Sequence, residues 1–328
     1  MAAPGGKLLK VFVTRCKSAI PVPAAQLLEQ NFQVEYWTKP DPIPRENLLL
    51  GVRGVDGIFC ILTDKIDKQI LDAAGPGLKV ISTMSVGLDH LDVKEIQARN
   101  IKIGYTPNVL TDATADLTIA LLLATSRRIM EGNTALKTGE WSSWSPLWMC
   151  GPALRGSTVG IVGLGRIGEA VMSRLKPFGV ERFVYSGRAR KSVEIENGAE
   201  FISFEDLLVQ ADFVIISTAY TEEMAGMFNK KVFNTMKKTA ILINISRGGI
   251  INQEDLVEAL ESKQIFAAGL DVMVPEPLPA DHPLTRLDNC VLLPHLGSAE
   301  LQTRNTMGLL TAKNIEAALN SSPMPAEY

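Results

Sequence analysis

Three glycines occur with the spacing G-x-G-x-x-G in the stretch Ser157-Thr-Val-Gly-Ile-Val-Gly-Leu-Gly-Arg-Ile-Gly168. Residues 159–162, just before these glycines, form an apolar run rich in β-branched residues, which is typical of a buried strand. Residues 169–178 then place Ala170, Val171, Leu175 and Phe178 at helical intervals. The order strand, glycine turn, helix predicts a dinucleotide site here, rather than a glycine-rich turn without a ligand.

Each of the three glycines has a separate expected task. Gly163 lets the chain turn sharply out of the strand, Gly165 lets a pyrophosphate approach the backbone, and Gly168 lets the helix pack closely on the strand. The helix N-terminus then offers unpaired N–H groups and a partial positive charge to the phosphates.

The chain of 328 residues is long enough for two domains. In the first hundred residues, we predict strands at residues 10–14, 33–37, 57–62, 79–84 and 101–105, with helices such as residues 68–74 between them. After the glycine turn, we predict strands at residues 182–186, 213–218, 240–246, 266–272 and 290–294. Alternating strands and helices indicate a parallel sheet covered on both faces, so the sequence predicts an α/β protein with two doubly wound units.

Between the two units, residues 111–139 are predicted to form one long helix with an apolar face. Residues 141–152 follow, with three of the four tryptophans, Trp141, Trp144 and Trp148, and two prolines, so neither a long helix nor a central strand fits there. Such a loop packs either on its own domain or on another subunit. We favour another subunit, because exposed aromatic residues cluster at interfaces.

Composition narrows the class of protein. The net charge is -3 and no long run of one sign occurs, so we expect neither nucleic acid nor an anionic membrane surface as a partner. The longest apolar run of the central helix, residues 119–124, is too short to span a bilayer, and residues 1–10 lack the apolar core of a signal peptide. Four scattered cysteines without a C-x-x-C pair favour a reducing compartment over disulfides or zinc. We therefore expect a cytoplasmic protein without a metal site.

The strand predicted over residues 182–186 bears on cofactor choice. In NAD-binding folds, a carboxylate about 20 residues after the glycines binds the ribose hydroxyls. Here that strand ends at Ser186, followed by Arg188, Arg190 and Lys191, without a carboxylate at the strand end. Ser186, Arg188 and Arg190 would favour a 2′-phosphate, which predicts NADPH, whereas a solvated basic loop is the alternative.

Three further residues follow successive strands of the second unit. They are Arg247, Glu276 and His295. Strand ends of an open α/β sheet face the ligand crevice, so His295 is the best candidate for a general acid among the three histidines. Arg247 offers a two-pronged donor to a carboxylate, and Glu276 beside the histidine would orient it and favour its protonated form. Taken singly, Arg247 also fits a surface ion pair and Glu276 a solvated turn.

These segments resemble the D-isomer-specific 2-hydroxyacid dehydrogenase family over essentially the whole chain. The resemblance is carried by residues 163–168, 244–248, 269–277 and 294–298. Residues 81–90, the Trp-rich loop and the basic turn are more similar to the animal members that reduce glyoxylate to glycolate and hydroxypyruvate to D-glycerate.

The resemblance implies a flavodoxin-like substrate domain, residues 1–108 plus 299–328, and a Rossmann NADP-binding domain, residues 109–298, with the active site in the cleft between them. No metal is needed for the implied reaction. Separately, the helix predicted over residues 111–139 and the Trp-rich loop are more apolar than one domain needs, so we expect a homodimer that forms through this region. The implied catalytic residues are Arg247, Glu276 and His295, and the implied substrate-binding residues add Val86, Gly87, Ser298 and Trp144. The implied cofactor-binding residues are Gly163, Gly165, Arg166, Ile167, Gly168, Ser186, Arg188, Arg190, Ile245, Asp271 and Gly297.

Two other functions stay open at this point. One is a sister dehydrogenase acting on D-lactate, D-glycerate or a phosphoglycerate, which would need extra basic residues near Val86 and Gly87 if its substrate were phosphorylated. The other is a nucleotide-sensing corepressor of the same fold, which would keep a similar catalytic trio. The basic turn and the lack of a long disordered tail argue against the corepressor.

Overall fold

The computed structural model describes residues 8–328. Residues 1–7, part of the stretch predicted to lack a signal peptide core, lie outside the described residues. The chain divides into two compact units, one running up to Leu110 and resuming over Ala299–Tyr328, the other comprising Thr111–Ser298. The limits implied by the family resemblance lie near residues 108 and 298. The assignment of substrate to the first unit and of cofactor to the second stays a prediction.

The first unit contains a five-stranded parallel sheet in the order β2-β1-β3-β4-β5. Its strands are β1 (Lys10–Val13), β2 (Gln33–Tyr36), β3 (Gly57–Cys60), β4 (Val80–Thr83) and β5 (Lys102–Gly104). Its helices are α1 (Val22–Asn31), α2 (Arg45–Gly51), α3 (Lys68–Ala74), α4 (Val93–Ala98) and the C-terminal helix (Leu301–Leu319). Successive strand residues point to opposite faces, so Phe12 packs with α2, α3 and α4, while Val11 and Val13 pack with α1 and the C-terminal helix.

The second unit contains a seven-stranded parallel sheet. In chain order its elements are α5 (Thr111–Ser126), α6 (Ile129–Thr138), β6 (Thr158–Val162), α7 (Arg166–Leu175), β7 (Arg182–Ser186), α8 (Val193–Glu196), β8 (Glu200–Phe201), α9 (Phe204–Gln210), β9 (Phe213–Ile216), α10 (Lys230–Thr235), β10 (Ile241–Asn244), α11 (Gln253–Glu261), β11 (Ala267–Leu270) and β12 (Cys290–Leu292). The strand order is β12-β11-β10-β9-β6-β7-β8, so the order reverses between β6 and β9. Ligands of such sheets bind outside the carboxyl ends of the strands at this reversal.

The predicted fold class, two doubly wound parallel α/β units, is confirmed. Both faces of the second sheet are covered, one by α5 and α7 and the other by α9, α10 and α11. Strand β8 was not predicted, because a two-residue edge strand leaves almost no pattern in the sequence.

The prediction of one helix over residues 111–139 is wrong. The chain leaves the helix after Ser126 because Arg128 adopts a left-handed backbone with φ 52°. Gly151 also lies so close to the Ser126 carbonyl that a Cβ there would stand 1.9 Å from its oxygen. The Arg128 guanidinium then binds Glu131 in the first turn of α6, with Nε 2.7 Å from Oε2.

The predicted helix after the glycines is displaced. Helix α7 begins at Arg166, directly after Gly165, and ends at Leu175. Pro177 has no N–H to continue the helix, so the chain forms a 3₁₀ turn and Phe178 is exposed instead of lying on the buried face.

No helix within residues 8–328 combines the length and the apolarity needed to cross a membrane. In that same part of the chain, His, Cys, Asp and Glu side chains form no group of three or more that could hold a metal ion.

Candidate active site

The glycine turn joins β6 to α7. Gly163 has φ 94°, and a Cβ at this position would stand 2.7 Å from the Thr218 backbone, so both conformation and space require glycine there. A Cβ at Gly168 would stand 2.7 Å from the Gly163 carbonyl oxygen. At Gly165, by contrast, a Cβ would meet no atom within 4 Å. The open space at Gly165, between two glycines that are closely packed, fits the approach of a pyrophosphate.

The start of α7 is suited to an anion. Gly165 is the N-cap residue and supplies no side-chain cap. The first N–H groups of a helix have no partner within the helix, and together with the helix dipole they attract negative charge. Arg166 is exposed here and Ile167 is half-buried. These residues fit the phosphates of a dinucleotide.

The end of β7 carries the predicted 2′-phosphate residues. Ser186 is buried, and the residues that follow it, up to Arg190, are exposed. Among the described residues, Arg188 forms no ion pair. Arg190 is different, because its Nε lies 2.9 Å from Oε1 of the buried Glu196.

The role of Glu196 in the basic turn was not predicted from the sequence. Its carboxylate accepts hydrogen bonds from Arg190 and from the Tyr185 hydroxyl at 2.7 Å, and these bonds lower its pKa. The Tyr185 hydroxyl in turn accepts the Lys191 N–H at 2.8 Å. A carboxylate therefore stands within the basic turn although none stands at the strand end. Its position on the short α8 gave no local signal, because the partners lie six and eleven residues earlier.

The structure brings His295 and Glu276 together. Nδ1 of His295 lies 2.8 Å from Oε2 of Glu276, and Oε1 of Glu276 accepts the Met273 N–H at 3.0 Å. Burial acts to raise the pKa of Glu276, but the bonds from His295 and Met273, with the charge of Arg247, hold it below its ordinary value. Glu276 is thus an ionised carboxylate within hydrogen-bond distance of the His295 ring. The peptide bonds preceding Pro275 and Pro277, on either side of it, are both cis.

Arg247 lies on a turn organised by a buried asparagine at the end of β10. Oδ1 of Asn244 accepts the Ser246 N–H at 3.0 Å, and its Nδ2 donates to the Arg247 carbonyl at 2.9 Å. The Ser246 hydroxyl donates to the Thr218 carbonyl. Arg247 is half-buried, and its charge acts on Glu276. The turn therefore holds a cation close to the His295–Glu276 pair.

The loop that carries His295 is held by Asp271. Oδ1 of Asp271 accepts the Leu296 N–H at 2.6 Å and Oδ2 accepts the Gly297 N–H at 2.8 Å, while its carbonyl accepts the His295 N–H at 2.9 Å. Burial raises the pKa of Asp271 in spite of these bonds. His295 itself has a left-handed φ of 56°. Contacts of Asp271, Gly297 and the buried Ile245 with a cofactor stay predictions.

The remaining predicted residues are placed as follows. Val86 and Gly87 are half-buried in the first unit, on the turn after β4, where the Ser85 hydroxyl donates to the Gly87 carbonyl at 2.8 Å. Oγ1 of Thr83 lies 2.9 Å from Nε2 of His90, so this histidine braces the same turn. In the second unit Ser298 is half-buried, and Trp144 is 80% exposed. Roles of Val86, Gly87, Ser298 and Trp144 in substrate binding stay predictions.

The second unit thus combines a doubly wound sheet, a glycine turn at the reversal of its strand order, and a His–Glu pair beside an arginine at neighbouring strand ends. The sheet and its glycine turn are typical of a dinucleotide-binding protein. Comparison with known proteins also indicates a dinucleotide-binding domain. The D-isomer specific 2-hydroxyacid dehydrogenase NAD binding domain matches residues 119–297. The chain belongs to the D-isomer-specific 2-hydroxyacid dehydrogenase family.

Three relatives illustrate the similarity. The chain is 55% identical to the glyoxylate reductase/hydroxypyruvate reductase of Mus musculus over 98% of both sequences. A protein from Thermus thermophilus, known from its crystal structure, is 42% identical, with a TM-score of 0.90 over 97% of this chain and 99% of that one. An NADPH-dependent glyoxylate/hydroxypyruvate reductase from Sinorhizobium meliloti, solved with NADP and malonate, is 30% identical, with a TM-score of 0.85 over 98% of this chain and 97% of that one.

Proposed function

We propose that this protein reduces glyoxylate to glycolate and hydroxypyruvate to D-glycerate with NADPH. The observation that carries the proposal is the 2.8 Å contact between His295 and Glu276, on the unit that also carries the open glycine turn. The names of the relatives from Mus musculus and Sinorhizobium meliloti support the substrates.

The cofactor, when bound, supplies the hydride that reaches C2 of the 2-oxo acid. The glycine turn and the start of α7 would hold its pyrophosphate. Ser186 and Arg188 would hold the 2′-phosphate, with Arg190 contributing less because Glu196 already binds it. The absence of a carboxylate at the end of β7 supports NADPH over NADH, since a carboxylate there would repel a 2′-phosphate.

The protein's own residues have the following roles in the proposal. Arg247 and the N–H groups of Val86 and Gly87 bind the substrate carboxylate, and Arg247 also polarises the ketone. His295, kept protonated by Glu276, donates its proton to the oxygen that becomes the hydroxyl group. Asp271 keeps His295 in place through the backbone of the next two residues.

Initial rates with glyoxylate, hydroxypyruvate and pyruvate, each with NADPH and with NADH, test the proposal. We expect the first two substrates to be turned over far faster than pyruvate, and NADPH to be preferred. A higher rate with pyruvate would favour a sister dehydrogenase. NADPH binding without turnover of any of the three would favour a nucleotide-sensing corepressor.

We also propose that the protein is a cytoplasmic homodimer. Residues with large exposed apolar side chains follow one another along α6 and the Trp-rich loop. They are Ile129, Met130, Leu136, Trp141, Trp144, Leu147 and Trp148. Monomeric proteins rarely expose so many large apolar residues in one region. A second copy of the chain is the partner that we expect to cover them, with Trp144 near the partner's substrate site.

A further inference from the structure

The segment that carries Glu276 has few means of holding its own shape. Residues 273–277 form neither helix nor strand, and most of them are exposed. Pro275 and Pro277 have no N–H to donate. A carboxylate on such a segment would sample many positions unless other groups fixed the backbone, because each ordered residue costs conformational entropy. Yet Glu276 lies within hydrogen-bond distance of His295.

The side chain of Gln253 supplies that fixation. Its Oε1 accepts the Val274 N–H at 2.6 Å, and its Nε2 donates to the Val274 carbonyl. One carboxamide thus binds both backbone polar groups of a residue two positions before Glu276, as a neighbouring strand would. The bonds to Gln253 and Glu276 occupy the N–H groups of Val274 and Met273.

The backbone of Gln253 is itself held in a regular helix. It is the first residue of α11, which Asn252 caps by accepting the Asp255 N–H at 3.2 Å. The inner face of the helix is buried through Leu256 and Leu260. The carboxamide therefore projects from an ordered helix onto the irregular segment.

A second contact, between Gly248 and Met273, fixes the same segment. The backbone at Gly248 packs so closely on Met273 that a Cβ at residue 248 would stand 2.3 Å from the Met273 carbonyl. Met273 in turn donates its N–H to Oε1 of Glu276. A continuous path of contacts runs from α11 through Val274 and Met273 to Glu276, and from there to His295.

We propose that Gln253 is a positioning residue for the reduction, acting through Val274 to hold Glu276 against His295. This inference rests on the proposed role of the His–Glu pair as proton donor. Without the carboxamide, Glu276 leaves His295 for part of the time, and the imidazole loses its proton more readily. The pH at which reduction declines should then move down, in the same direction as in Glu276→Gln but by less.

Gln253→Leu removes both hydrogen bonds while keeping a side chain of similar size. We expect kcat/KM for glyoxylate near neutral pH to fall roughly tenfold, the size expected for a lost pair of hydrogen bonds between uncharged groups. The falling limb of the pH profile should move to lower pH, and the Kd for NADPH should not change. Gln253→Ala should do the same, which guards against one variant folding poorly. Gln264→Leu is the matched control, because Gln264 also donates to a backbone carbonyl of this unit, that of Phe233, at 3.3 Å.

A double variant separates positioning from general loosening. If Gln253 acts through Glu276, adding Gln253→Leu to Glu276→Gln should change kcat/KM by less than about twofold. An equal loss in both backgrounds, or an unmoved pH profile in Gln253→Leu and Gln253→Ala, would overturn the inference. If Glu276→Gln leaves the profile unmoved, the proposed proton donor fails instead.

Discussion

Nδ1 of His295 lies 2.8 Å from Oε2 of Glu276. This contact helps to hold the pKa of Glu276 below its ordinary value. An ordinary glutamate titrates near pH 4.3, so Glu276 stays ionised throughout the neutral range. The bonds of the ionised Glu276 to His295 and Met273 contribute their full stability above about pH 4.3. This stability is lost as pH falls through the lower pKa that Glu276 has in the folded state. A decline of activity at higher pH therefore has to come from another group.

That group is predicted to be His295. Reduction of glyoxylate should decline with rising pH as the imidazole loses its proton, and Glu276→Gln should move the decline to lower pH with little change in NADPH binding. The test is the pH profile of kcat/KM for both proteins. His295→Ala should lower the rate by about 10²–10⁴-fold. Identical profiles for wild type and Glu276→Gln would show that the pair is not the acid.

Asp271→Asn probes the support of the His295 loop. Two N–H groups, from Leu296 and Gly297, point at the Asp271 oxygens, and an asparagine NH₂ would oppose one of them. We expect a loss of roughly 1–3 kcal/mol in the free energy of unfolding, together with a lower kcat. Urea unfolding and steady-state rates give both values. Asp281→Asn, at an exposed position of the same unit, is the control and should change neither. Unchanged stability in Asp271→Asn would show that the bonds of Asp271 to Leu296 and Gly297 do not stabilise the loop.

The two arginines of the basic turn should differ. Arg188→Ala should weaken NADPH binding by roughly 1–3 kcal/mol, the size of a lost charged hydrogen bond, and leave NADH binding nearly unchanged. Arg190→Ala should have a smaller effect on NADPH, because Glu196 binds Arg190. Fluorescence titration of each variant with both cofactors measures the difference. Equal losses for NADPH and NADH in Arg188→Ala would argue against a 2′-phosphate site.

Arg247→Ala should raise KM for glyoxylate strongly and lower kcat as well, since this residue is proposed both to bind the carboxylate and to polarise the ketone. Arg247→Lys should recover only part of the activity, because lysine lacks the planar two-pronged donor. Steady-state kinetics of both variants are compared with Arg286→Ala, which removes an exposed arginine of the same unit. A change in KM alone would restrict Arg247 to binding.

The homodimer can be tested by sedimentation at micromolar concentration. We expect a dimer for the wild type and a shift toward monomer for the double variant Trp144→Ser and Leu147→Ser, because both side chains are highly exposed in the single chain. Val209→Ser, an exposed apolar position on α9, serves as the control. A wild-type monomer under these conditions would contradict the proposal.

Local patterns predicted much of this molecule. The glycine spacing predicted the turn between β6 and α7, and the order of strands placed Arg247, Glu276 and His295 at neighbouring strand ends. Helix α3 falls on the residues predicted for it. In each case the signal lies within one short segment.

Contacts between distant segments could not be predicted in this way. The bonds of Asp271 to the His295 loop join residues 25 and 26 positions apart, and those of Gln253 to Val274 join residues 21 positions apart. Such pairs have no characteristic spacing in the sequence. The break at Arg128 was missed for a related reason, because the residue that crowds the end of α5, Gly151, comes from a later loop.

Asp271 holds the His295 loop through the main-chain N–H groups of Leu296 and Gly297, and the Leu296 side chain takes no part in these bonds. That side chain is exposed and directly follows the histidine. Residue 296 can therefore be changed to any amino acid except proline, which has no N–H to donate, without removing either of the bonds to Asp271. For enzyme engineering, this makes position 296 a place to introduce new side chains next to His295, the proposed proton donor, while the bonds that hold its loop are kept.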